Sequence, residues 1–326
     1  MRSTEYKAYL EEIGYNEEQV RQCMAGAEDF SLWLETSGRT EETATAADVH
    51  AFAAHRISEG TNERIAFIGV YQYAGMIGNH SMTVGVLDLL DGFEILGNLH
   101  RFVGEILGGE AQDRVFRDVP LPVIGTTPLE WTRVMSQVMP RLETETDSAT
   151  VKRILGSGLR DLRDEYYVDF KERFEKAESL DAFLADRKRR HDEALVTHRD
   201  EGTLYFNQRI DDGVLEFVAA HQEIGGGVRD GSRIVEVKIP HMSIEYLATD
   251  DLRMKQYYVC HCPCVKEAIA RDDLEISPTV CEFCPSFNAK PWEVAYGQRL
   301  ETEVLESALR GDAWCKFAIH LPETDR

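Results

Sequence analysis

Five of this chain's seven cysteines fall within one short stretch, as Cys260-His261-Cys262-Pro263-Cys264 and Cys281-Glu282-Phe283-Cys284-Pro285. Thiols this dense constrain the fold around them, because they must be oxidised in pairs, bound to metal, or buried reduced. The first residues, Met1 to Gly14, mix charges with short apolar patches and lack the continuous apolar stretch of a secretory signal. The expectation is therefore a cytoplasmic, reducing setting, where clustered cysteines serve as metal ligands or redox groups rather than a disulfide framework.

At 326 residues and 43% hydrophobic, the chain can bury a substantial core and is expected to form two domains. No uninterrupted apolar run reaches the length of a membrane span, so no membrane partner is expected. The formal net charge of -22 opposes binding to phosphate backbones, which relies on clustered Lys and Arg, so nucleic acid is not an expected partner.

The first hundred residues read as helices. Tyr6, Tyr9, Leu10 and Ile13 form an apolar stripe, and Asn16 is placed to cap a second helix carrying Val20, Cys23, Ala27, Phe30 and Leu34. A helix from Thr61 is expected to end at Gly78-Asn79, and one or two more to follow over 84–107. Gly108, Gly109, Pro120, Pro122, Gly125 and Pro128 break the pattern. They divide the chain into a helical domain (1–108), a linker (109–128) and a mixed domain (129–326). In the mixed domain a helix from Trp131 is expected to stop at Pro140, and helices are expected over 151–167, 170–177 and 180–195. The basic run Arg187-Lys188-Arg189-Arg190 lies among acidic neighbours and reads as a solvated helix face. Strand character appears at 204–206, 234–239, 257–259 and 316–321. The fold class expected is thus α+β or α/β, with a helical domain followed by a mixed domain that holds the cysteines.

If Val259 to Cys262 is extended, Cys260 and Cys262 share one face. The Cys281-x-x-Cys284 spacing lets two sulfurs share an ion. Cys260, Cys262, Cys264, Cys281 and Cys284 are the candidate ligands of a zinc ion. Packed reduced thiols and a metal-free catalytic thiolate remain alternatives. His261, Glu282 and Glu293 are the candidates for moving a proton, and His241, just after a strand, lies within reach. Tyr258, Phe283, Phe287, Trp292 and Tyr296 crowd the cysteines in sequence and are candidates to border an apolar ligand pocket; the alternative is that they fill the core.

Three resemblances add to this reading. Tyr9-Leu10, Phe30-Ser31-Leu32-Trp33-Leu34 and Asp48-Val49-His50-Ala51-Phe52 give residues 4–80 a pattern that resembles the SAM-like core-binding domain of phage-type integrases. That resemblance implies a helical DNA-gripping module, but residues 1–90 carry 14 acidic against 6 basic side chains. A dimerisation or lid element is the expectation instead, the former giving a homodimer through these helices. Glu306, Gly311 and Cys315 resemble the ending of vinyl-4-reductase-type small-molecule-binding domains, with Leu309 standing where that ending carries its first cysteine. This implies an apolar or aromatic ligand near a zinc site, with Glu306 and Cys315 at the pocket. Lys238-Ile239-Pro240, Cys260-His261-Cys262-Pro263 and Gly311 through Phe317-Ala318-Ile319 resemble a bacterial family related in pattern to 2-amino-thiazoline-4-carboxylate hydrolases, over residues 150–326.

Three functions follow as expectations. The first is a small-molecule-binding protein with a structural or ligand-adjacent zinc. The second is a metal-dependent hydrolase of a cyclic amide- or thiazoline-like substrate, and the third a DNA-binding regulator. Whether the chain is an enzyme stays open at this level.

Overall fold

A computed structural model of the chain describes residues 1–90, 93–158 and 162–322. The fold is α+β, with a helical N-terminal region and a four-stranded antiparallel sheet nearer the C-terminus. Two compact units divide it: residues 1–96 with 121–131, and residues 97–120 with 132–326.

The first unit is built from α1 (Ser3–Glu12), α2 (Glu17–Thr36), α3 (Ala46–Ser58), α4 (Arg64–Ile77) and α5 (His80–Leu90). Asn16 and Gln19 close a reciprocal cap on α2, each side chain accepting from the other's backbone N–H at 3.0 Å. Gly78 ends α4 in the left-handed conformation, as its sequence position suggests. α2 and α4 cross so closely that a Cβ on Gly69 would stand 2.3 Å from the Cys23 carbonyl oxygen. Small residues at the crossing let the two backbones meet. Tyr6 bridges α1 to that crossing by donating its hydroxyl to the Gly69 carbonyl at 2.6 Å. Cys23 is fully buried here among Tyr6, Leu10, Phe30 and Phe67, and burial pushes its thiol up to about 11.

The expected linker at 109–128 does not form. The chain leaves the first unit within α6 (Phe93–Leu107), and α7 (Gly109–Val115) is helical. Gly108 (φ +89) makes the turn between those helices, so its break marks a corner and not a domain boundary. α8 (Pro128–Glu145) also runs through Pro140 instead of stopping there. Met139 and Leu142 are fully buried on it, and that burial offsets the hydrogen bond the proline forfeits.

The rest of the second unit comprises α9 (Ser148–Leu155), α10 (Val168–Lys176), α11 (Leu180–Glu201), α12 (Asp212–Ala219), β1 (Val228–Asp230), β2 (Arg233–Val237), α13 (Ser243–Ala248), α14 (Leu252–Val259), α15 (Lys266–Ala270), α16 (Cys284–Tyr296), β3 (Thr302–Glu306) and β4 (Lys316–His320). The sheet order is β1-β2-β4-β3, every pair antiparallel. The helix expected over 151–167 ends at Leu155; residues 159–161 lie outside the described ones. Residues 204–206 form only a tight turn, closed by a bridge between Tyr205 and Gln208. The basic run on α11 is neutralised locally: Lys188 pairs with Asp192, Arg189 and Arg190 with Asp186, and Arg187 with buried Glu236 at 2.7 Å. Among the described residues, no helix is long and apolar enough to cross a membrane.

Candidate metal centre

The strand expected at 257–259 is the last turn of α14. Asp251 caps that helix by accepting from the Met254 N–H at 3.0 Å, and the apolar residues that looked like a strand take the helical period instead. The shared strand face for Cys260 and Cys262 therefore does not exist. Cys260 follows the helix with an extended backbone (φ -75, ψ 119). Its loop turns back at Cys262, whose carbonyl accepts from the N–H groups of Val265 and Lys266 at 3.2 and 3.0 Å.

Cys281 sits in a 3-10 turn over Pro278–Phe283, and Cys284 opens α16 with Pro285 behind it in the first turn. The fourth segment arrives from the sheet. Lys238 continues β2, and its N–H donates to the Cys315 carbonyl at 3.2 Å just before β4. Sheet register thus delivers a sixth cysteine, far away in sequence, to the loops that hold the other five.

Five cysteines, Cys260, Cys262, Cys281, Cys284 and Cys315, line one cavity of about 10 Å³. His261, Lys238, Ser307, Val280, Leu309 and Phe317 also border it, and its surface is almost wholly apolar. That volume accommodates one water or one ion, whereas small-molecule sites run from about 300 Å³ upward. Cys264 is fully buried and does not line the cavity. All seven cysteines are free thiols.

Electrostatics tie four of these sulfurs into a set. Burial raises the Cys260 thiol far above its ordinary range, and the Cys315, Cys284 and Cys281 sulfurs raise it further. Burial likewise raises Cys281, helped by Cys284 and Cys315, and pushes Cys315 up to about 12, helped by Cys284. Cys284 is raised first by its hydrogen bond with Cys262 and then by burial, against the pull of Lys238. Cys260 therefore feels Cys281, Cys284 and Cys315, and Cys281 feels Cys284 and Cys315. Without a cation among them these thiols stay protonated, because several buried thiolates would repel one another in a poorly solvated space.

Ser307 supplies a second sign of an occupant. Its hydroxyl is buried in the cavity wall with no hydrogen-bond partner. It stands near enough to Cys281 to favour the thiolate, without the geometry of a hydrogen bond to the neutral thiol. Buried hydroxyls without partners are uncommon and point to a missing contact. Soft sulfur donors are of the type that thiophilic ions such as zinc prefer. As they stand, no three His, Cys, Asp or Glu side chains among the described residues are arranged to hold a metal ion. The cysteines border the space without yet converging on it.

The proton-transfer candidates are dispersed. Only His261 lines the cavity; its Nε2 is hydrogen-bonded to the Ile239 carbonyl at 2.6 Å, and burial with Lys238 nearby brings its pKa down to about 3. Glu282 is buried in ion pairs with Lys152 at 3.2 Å and Arg310 at 3.8 Å. Glu293 accepts from the Leu300 N–H at 3.0 Å, beyond the end of α16. His241 reaches only the His261 ring, at 5.0 Å between centroids, and is hydrogen-bonded to Asn207 and Lys266.

The aromatic candidates do not border this cavity either. Trp292 is fully buried in a different cluster with Phe170, Phe174 and Phe183, and Tyr296 stacks on its edge against Phe174. Phe283 is buried, Phe287 is 43% exposed, and Tyr258 lies on α14 against Tyr257. Glu306 pairs with Lys316 at 2.9 Å. Sequence reasoning missed Lys238 and Ser307, and assigned Cys315 to a ligand pocket. A lone cysteine two residues before the apolar run Phe317-Ala318-Ile319 was the available signal for its place at the start of β4. No protein-family model, curated protein or solved structure matches this chain.

Proposed function

We propose that the second unit is a metal-binding module in which Cys260, Cys281, Cys284 and Cys315 hold one zinc ion. The observation that carries this reading is five cysteines lining a single ion-sized cavity, with the unpartnered Ser307 hydroxyl in its wall. Bound zinc supplies a redox-inert tetrahedral cross-link, and a site filled by four thiolates is a closed, structural one. The residues it would join belong to α14's end, the 3-10 turn, α16's first residue and the start of β4, so the ion would fix loops that carry little regular structure. His261 fits a supporting place, with Nε2 engaged by a backbone carbonyl. The small cavity favours an ion over an aromatic ligand as the occupant.

Elemental analysis of protein purified without chelator tests the reading. About one equivalent of zinc per chain is expected, as four thiolates bind one tetrahedral ion. Less than about a tenth of an equivalent of any transition metal would refute it.

A further inference from the structure

Lys238 occupies an unusual position for a lysine in so acidic a chain. Its backbone N–H donates to the Cys315 carbonyl where the inner strands β2 and β4 end and begin, and the residue borders the cysteine cavity. The ammonium lies 5.6 Å from the Phe287 ring centroid and 5.9 Å from that of Phe317. No carboxylate among the described residues pairs with it, whereas Lys152, Lys188, Lys290 and Lys316 each have one. An ammonium so placed faces aromatic rings in place of a counter-ion.

We infer that Lys238 is the fixed counter-cation of the loaded centre. This rests on the zinc reading above. Four thiolates around a divalent ion carry two net negative charges, and enclosing them costs free energy unless fixed positive charge lies near. The Lys238 charge favours the Cys284 and Cys315 thiolates, opposed by Asp312 at Cys315, and the Arg310 charge favours the Cys281 thiolate. Arg310 also faces Glu282, which Lys152 pairs in turn. Of Lys152, Lys238 and Arg310, Lys238 is the one with no carboxylate partner among the described residues, so it is the one whose loss the loaded state would feel most.

The test compares zinc affinity of the full-length chain and its Lys238→Gln and Lys238→Arg variants, by competition with a chelating dye at one pH. Lys238→Gln is expected to weaken binding by about 10- to 100-fold, the usual range for a supporting residue outside the ligand shell, while Lys238→Arg stays near wild type. The chelator-stripped Lys238→Gln protein should melt no lower than stripped wild type, because the ammonium gives up no ion pair. Lys238→Gln affinity within about threefold of wild type would overturn the inference and leave the zinc reading intact. So would an equal loss of stability in the stripped protein, which marks a structural role. Failure of wild type itself to bind zinc would overturn both.

Discussion

Cys281→Ser is expected to release the ion and to make the second unit melt as chelator-treated wild type does, with no further drop when chelator is added. The expected effect is large. A structural thiolate site couples roughly 10 kcal/mol of binding free energy to folding, and a serine hydroxyl is a poor substitute for one of four thiolates. Cys281 is buried among Cys260, Cys284 and Cys315, so no solvent ligand replaces it without rearrangement. Cys23→Ser is the control. That thiol is fully buried in the first unit and should cost stability there while leaving the zinc content whole. Melting curves recorded with and without chelator, alongside elemental analysis, check both variants. A Cys281→Ser protein that keeps a full equivalent of zinc would remove Cys281 from the ligand set.

Trp292→Ala is expected to destabilise the second unit by about 3–5 kcal/mol, the range for deleting a large buried aromatic side chain, without changing the zinc content. Trp292 is fully buried at the centre of a ring cluster, 5.2 Å from Phe170, 5.7 Å from Phe183 and 6.0 Å from Phe174 between centroids. Its indole N–H donates to buried Glu236 at 3.1 Å, and the Arg187 guanidinium lies over its ring at 5.1 Å. Arg187 and Asn288 still serve Glu236 in the variant, at 2.7 and 3.0 Å, so the main loss is packing. Denaturant unfolding measures the loss. A change below about 1 kcal/mol would contradict the packing account. Zinc lost from a variant that remains folded would place Trp292 in support of the centre.

The elements whose sequence signals are local were the legible ones. Asn16 and Gln19 mark the start of α2, Gly78 marks the end of α4, and the Phe317-Ala318-Ile319 run marks β4. The density of cysteines between 260 and 284 pointed to the region of the cavity that four of those five cysteines line. What stayed hidden depends on contacts between distant segments. Pro140 reads as a helix stop until the burial of Leu142 is known. Tyr257-Tyr258-Val259 reads as a strand because aromatic and β-branched residues favour one, and the Asp251 cap that starts the helix lies outside that short window. Cys315 joins the other sulfurs through the pairing of β2 with β4, which a spacing argument does not see. The same pairing brings Lys238 to the cavity. Glu282 and Glu293 looked available as acids because sequence does not reveal that Lys152, Arg310 and the Leu300 N–H already engage them.

X-ray absorption at the zinc edge of the as-purified, full-length protein tests the central claim most directly, since it counts the atoms around the ion. The account predicts a first shell of about four sulfurs at about 2.3 Å. A shell dominated by nitrogen or oxygen, or one with only one or two sulfurs, would contradict it.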